Sequence, residues 1–197
     1  MKFRHQVLRG LPVVVFVCGA LPAAAEAQFT QQGPKLVGTG AIGPAAQGDS
    51  VSLSGDGNTA IVGGPSDNSG LGAVWVFTRS DGVWTQQAKL VGTGAVGNAA
   101  QGASVSLSGD GNTAIVGGPG DSPPNLGAIT SAGAAWVFTR SGGVWSQQAK
   151  LVGTGAIGPA HQGSLSLAGD GNTAIVGGPG DIFHPGAAAA WMYAKSR

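Results

Sequence analysis

A glycine motif, G-x-G-x-x-G, occurs three times in the 197-residue chain: at Gly38-Thr39-Gly40-Ala41-Ile42-Gly43, and again from Gly92 and from Gly153. Such spacing cradles a pyrophosphate when it joins a strand to a helix N-terminus and an acid follows about 20 residues on. Here Pro44-Ala45-Ala46-Gln47-Gly48 follows without helical periodicity, so the motif reads as a flexible connection between units. Asp67, Asp121 and Asp181 stand two residues beyond successive Gly-Gly-Pro triplets. Capping the backbone of a Gly/Pro loop is their structural role. Loops on a rigid scaffold also present binding groups, so the three carboxylates are candidate ligand-binding residues. They are also the centre of one alternative function, a hydrolase or lyase acting on surface glycans. Trp84 and Trp145 follow a turn and precede polar residues, which makes them candidate stacking platforms for a sugar or another flat ligand. Trp75, Trp136 and Trp191 lie inside apolar runs and are assigned to the core. His161 and His184 each occur in one copy only and G-x-S-x-G is absent, so no catalytic constellation is assembled and a non-enzyme is expected.

The elements that must position these residues follow from composition and repetition. Glycine is abundant (37 residues) and charged side chains make up only 10%, with a formal net charge of +1. This balance excludes charge-driven disorder and a basic nucleic-acid-binding surface. Residues 1–27 read as a secretory signal: Lys2, Arg4 and Arg9, an apolar run from Leu11 to Leu21, then Ala25-Glu26-Ala27 before Gln28. Its removal takes away Cys18, the only cysteine. The mature chain is therefore expected to be exported to the periplasm, cell surface or medium, with no disulfide and no membrane span.

Residues 28–197 contain one unit three times, KLVGTGAIGPAAQGDSVSLSGDGNTAIVGGP from Lys35 and close copies from Lys89 and Lys150. Each copy predicts strands at positions such as 50–54, 59–62, 73–78 and 83–91, with Asp-Gly hairpin turns between apolar runs. Val74, Trp75, Val76 and Phe77 are consecutively apolar, so both faces of that strand require cover. Small sheets stacked face to face satisfy this. The expected fold is all-β, a β-propeller-like array of three four-stranded blades over about 50–92, 104–153 and 164–197. The chain stops after a third strand, and 29–38 (FTQQGPKLVG) matches the fourth strand at 84–92, so 29–38 is the expected complementing strand. Three readings remain: ring closure by self-association, an open stack, or a fragment of a longer array.

With Gln-Gly at 47–48, 101–102 and 162–163 and Gly-Gly-Pro at 63–65, 117–119 and 177–179, the units resemble FG-GAP repeats in a bacterial secreted variant, the blades of integrin-α-like propellers. The resemblance implies a non-catalytic propeller for binding or assembly, with a protein or glycan ligand left unnamed. It also implies a calcium loop between the first two strands, where this sequence offers Asp56 and Asn58, Asp110 and Asn112, and Asp170 and Asn172. Calcium takes 6–8 oxygen ligands. One carboxylate per loop makes a hairpin turn the favoured reading, and a weakly calcium-binding structural repeat the other alternative. No other cofactor is expected.

Overall fold

The computed structural model describes residues 29–122, 131–156, 158–181 and 189–196. The expected signal segment, most of the second unit's inserted loop and His184 lie outside these residues. Residues 32–197 form one compact unit, separate from residues 1–31.

The compact unit is a series of antiparallel meanders. Sheet 1 has the order β1 (Ser50–Leu53), β2 (Thr59–Gly64), β3 (Ala73–Ser80), β4 (Val83–Leu90). Sheet 2 repeats it with β5 (Ser104–Leu107), β6 (Thr113–Gly118), β7 (Ala134–Ser141) and β8 (Val144–Leu151). Sheet 3 has only β9 (Ser164–Leu167), β10 (Thr173–Gly178) and β11 (Ala189–Ala194) among the described residues. The blades are therefore four-, four- and three-stranded. Asp81 and Gly82 both take positive φ, 51° and 78°, which gives the β3–β4 hairpin a turn matched to strand twist. A bulge after Val76 pairs Ala88 with Val76 and Gln86 with Phe77, so Gln87 is the extra residue; Gln148 repeats this in sheet 2.

The sheets stack on one another in chain order. β1, β5 and β9 lie side by side at the inner edge. There the Gly55 amide donates to the Gly109 carbonyl (2.8 Å) and the Gly109 amide to the Gly169 carbonyl (2.7 Å). The serines of these strands face the next sheet: Leu107 N–H donates to Ser52 Oγ and Leu167 N–H to Ser106 Oγ, both at 3.1 Å. β2 and β6 run on through their glycine pairs, further than the sequence predicts, because backbone approaches backbone there. A β-carbon on Gly63 would lie 2.0 Å from the Gly102 oxygen, and one on Gly117 1.9 Å from that of Gly163. Between sheets 1 and 2 the core is Ile61, Val74 and Val76 against Val105 and Leu107. Between sheets 2 and 3 it is Ile115 and Ala135 against Ala174 and Val176.

The stack leaves two apolar end faces. Val51 and Leu53 on β1 are 68% and 59% exposed, whereas their counterparts Val105 and Leu107 on β5 are buried. At the other end Ile175 and Met192 are 41% and 65% exposed, whereas Ile61 and Val76 are fully buried. Residues 29–38 form no strand within this chain. The edge they were expected to complete, that of β11, belongs to sheet 3, and residues 32–38 lie against sheet 1 at the opposite end of the stack. A strand without an edge to pair with has no ladder to stabilise it.

Candidate functional site

The G-x-G-x-x-G segments are not flexible connections. Each is a strap tied across the tryptophan of the sheet that follows it. In the second unit Gly92 lies flat on Trp136, where an added β-carbon would fall 2.2 Å from the indole. Trp136 Nε1 donates to the Thr93 carbonyl (2.9 Å). The Gln101 amide, 1% exposed, accepts from Gly92 N–H (2.5 Å) and donates to Gly92 C=O (2.9 Å), standing in for a neighbouring peptide. Gln147 on β8 accepts from Thr93 N–H at 2.7 Å. The first unit repeats the arrangement with Gly38, Trp75, Gln47, Thr39 and Gln86. In the third, Gln162 holds Gly153, and Trp191 donates to Thr154. With no helix following, and with the Gly92, Thr93 and Val96 N–H groups already bonded to side chains, the strap is no phosphate cradle.

The expected ligand-binding acids are part of the same device. Asp67 Oδ1 accepts from Ile42 N–H (2.7 Å), and its Oδ2 lies 2.7 Å from Lys89 Nζ. Asp121 repeats this with Val96 N–H (2.8 Å) and Lys150 Nζ (2.7 Å). Each lysine also donates to the strap, Lys89 to Gly40 C=O and Lys150 to Gly94 C=O, and lies over its tryptophan at 5.2 and 5.4 Å. Asp67 and Asp121 are about 1% and 0% exposed and serve separate units; Asp181, at 8%, holds the equivalent place in the third. The pairing is long-range, unlike the local loop cap the sequence suggests. Both oxygens of the buried Asp67 and Asp121 carboxylates are already engaged, Oδ1 by an amide and Oδ2 by an ammonium.

The candidate calcium residues close hairpins. Asp56 Oδ1 accepts from the Ser54 hydroxyl (2.5 Å) and from Asn58 N–H (2.9 Å), while Asn58 Nδ2 donates to Oδ2 (3.1 Å). These bonds, the Ser54 hydroxyl first, hold the Asp56 pKa down at about 2. Asp110, with Ser108 and Asn112, is likewise lowered. In the third loop Ala168 replaces serine, and Asp170 keeps the bond from Asn172 N–H (3.0 Å). Among the described residues no group of three His, Cys, Asp or Glu side chains could hold a metal ion.

Trp84 and Trp145 are half-buried rather than open platforms. Arg79 lies 5.5 Å over Trp84 and Arg140 5.3 Å over Trp145. Trp145 Nε1 donates to Gln87 Oε1 (2.8 Å), and the ring packs on the core between sheets 1 and 2 beside Ala88. At the equivalent place between sheets 2 and 3 there is a cavity of about 360 Å³, lined by Gln148, Ala149 and Leu151 of β8 and by Tyr193, Ala194 and Lys195. The Tyr193 hydroxyl is buried there without a hydrogen-bond partner among the described residues, and burial raises its pKa. Sequence reasoning missed the buried glutamines and the strap lysines. Their signal was a polar residue recurring at one fixed repeat position outside any turn.

These features define a class: a repeat protein of propeller-type, four-stranded antiparallel sheets. Residues 84–138 match the family model "FG-GAP repeat", and the copies beginning at Lys35 and Lys150 flank the matched one. The match runs from β4 to β7, so the sequence repeat is one strand out of phase with the sheets. No curated protein matches the chain. Among solved structures, Sqt1 of Saccharomyces cerevisiae is 11% identical with a TM-score of 0.49, covering 79% of this chain and 33% of that one. TolB from Acinetobacter baumannii is 12% identical with a TM-score of 0.40, covering 74% and 29%. The chain spans about a third of the length of these proteins.

Proposed function

We propose that this chain is an exported, non-catalytic repeat module that works by binding and assembly. One observation carries the reading. Asp67 and Asp121, the acids best placed by sequence to do chemistry, are consumed by the scaffold in ion pairs with Lys89 and Lys150. The surface left over consists of sheet faces and a sheet edge, which recognise partners by shape and backbone pairing. The secretory pattern of residues 1–27 supports export, and among the described residues no helix is long and apolar enough to cross a membrane.

Two measurements test this. Fractionation of a bacterial host expressing the full chain, with N-terminal sequencing, is expected to find a chain beginning at Gln28 outside the cytoplasm; an uncleaved cytoplasmic chain would refute export. Incubation with bacterial surface glycans is expected to give no turnover. Hydrolysis or elimination products that disappear in a folded Asp67→Asn, Asp121→Asn, Asp181→Asn variant would favour the enzyme.

A further inference from the structure

We propose that segment 29–38 of one copy is the fourth strand of sheet 3 in a second copy, so that the protein assembles head to tail by strand donation. The proposal rests on the assembly reading above and names its partner.

The chain already contains the intended arrangement. Gln87 of β4 lies in front of sheet 2, where it accepts from Arg140 (3.1 Å) and Trp145 (2.8 Å). Gln32 aligns with Gln87 in the repeat and accepts from Arg79 at 2.6 Å. The start of the compact unit thus lies in front of sheet 1, where the fourth strand of a preceding sheet belongs. That preceding sheet is assigned to sheet 3 of another copy, because sheet 2 stands between sheets 1 and 3 of one chain.

Phe29 to Gln32 match Trp84 to Gln87 one for one; Gly33-Pro34 then stands where Ala88 alone stands, and the match resumes at Lys35. Phe29 aligns with Trp84 and Trp145 and is fully exposed. The cavity between sheets 2 and 3 is the place Trp145 fills one sheet earlier, with Gln148 and Ala149 standing for Gln87 and Ala88. Lys35 aligns with Lys89 and Lys150, the lysines that close the strap in the first two units. Pro34 falls next to the bulge of an outer strand, where proline is tolerated.

The end faces are complementary for the same reason. Val51 and Leu53 of one copy meet Ile175 and Met192 of the other, as Val105 and Leu107 already meet Ile61 and Val76. The backbone contacts extend too. Gly169 has open space, and Gly177 meets only Ser164 of its own sheet at 3.7 Å, where Gly109 and Gly117 touch the next sheet, so each has room to receive a further sheet. Two copies supply six sheets, within the usual four to eight of a closed ring.

The register sets the test. Thr78 pairs with Thr85 and Thr139 with Ser146, so Ala194 should face Thr30 of the donor. Cross-strand Cα separations of about 4.5–5.5 Å fall within disulfide range. In a Cys18→Ser background, full-length Thr30→Cys labelled with ¹⁵N is mixed with unlabelled Ala194→Cys and oxidised. A disulfide joining labelled residue 30 to unlabelled residue 194 is expected, and light scattering should give at least twice the chain mass. Phe29→Ala should weaken association roughly 10- to 150-fold, the loss of one buried ring. Gly177→Ala should also weaken it, with the circular dichroism spectrum of the chain unchanged. A folded chain that stays monomeric at high micromolar concentration and forms no such disulfide overturns the proposal. Turnover on a glycan would sink the non-catalytic reading and leave the cross-link unaffected, so the two failures are distinguishable.

Discussion

Gly117 and Gly177 occupy the same place in successive sheets, and one substitution at each separates local backbone effects from sheet stacking. A β-carbon on Gly117 would lie 1.9 Å from the Gly163 carbonyl oxygen, whereas one on Gly177 meets nothing nearer than 3.7 Å. Relieving the first contact to an ordinary C···O distance of about 3.3 Å requires sheets 2 and 3 to part by roughly 1.4 Å. That movement stretches the Gly109 N–H bond to Gly169 (2.7 Å) and the Leu167 N–H bond to Ser106 (3.1 Å) beyond useful length. Two lost bonds at about 1 kcal/mol each, with apolar contact given up between the sheets, make Gly117→Ala destabilising by about 3 kcal/mol. Gly177→Ala should instead stabilise the single chain by about 0.5 kcal/mol, because alanine restricts the unfolded state. Urea unfolding of both variants in a Phe29→Ala background, which weakens association, at concentrations where light scattering gives a monomer, reads the difference. If the two midpoints coincide, or if Gly177→Ala is the more damaging, close glycine contact does not set the spacing of the sheets.

Other outcomes follow from the strap and the turns. Gln101→Leu strands the Gly92 N–H and C=O and should cost about 2–4 kcal/mol in urea unfolding. Asp121→Ala leaves Lys150 beside an emptied site and should cost about 3 kcal/mol, with Lys150→Met in the same chain recovering part of it. The Asp56 carboxyl should titrate near 2 by NMR, and Ser54→Ala should move it back toward 3.8. Because its folded pKa is depressed, the contribution of Asp56 to stability is complete above about 4 and is lost as pH falls through about 2. Calcium and EDTA should each leave the thermal midpoint unchanged, because the Asp56 oxygens are already engaged within the turn; a calcium-dependent rise would restore the ion-site reading.

The repeat, the hairpins and the need for cover on both faces were legible in the sequence because they are local or periodic. Val74–Phe77 could belong only to a strand buried on both sides, and Asp56-Gly57 only to a tight turn. The likeness of FTQQ at 29–32 to Trp84–Gln87 of β4 was legible as well. Less visible was the use of the polar residues. Asp67 looked available for a ligand because Lys89 is 22 residues away, and nothing in spacing alone says that the segment between β2 and β3 meets the end of β4. Gln101 looked like a degenerate form of the FG signature, and only the folded backbone reveals it as a surrogate peptide for Gly92.

Sequence by itself determined what one unit is: which segments become strands, where they turn, and how often the pattern recurs. Such choices depend on neighbours within a few residues. The tertiary structure decided which acids and tryptophans remain accessible and, among the described residues, which sheet has an unpaired edge, a cavity and an exposed apolar face. Those outcomes depend on what stands in front of and behind each sheet. Three nearly identical units therefore meet three different surroundings, and the chemistry of each residue follows its place in the stack.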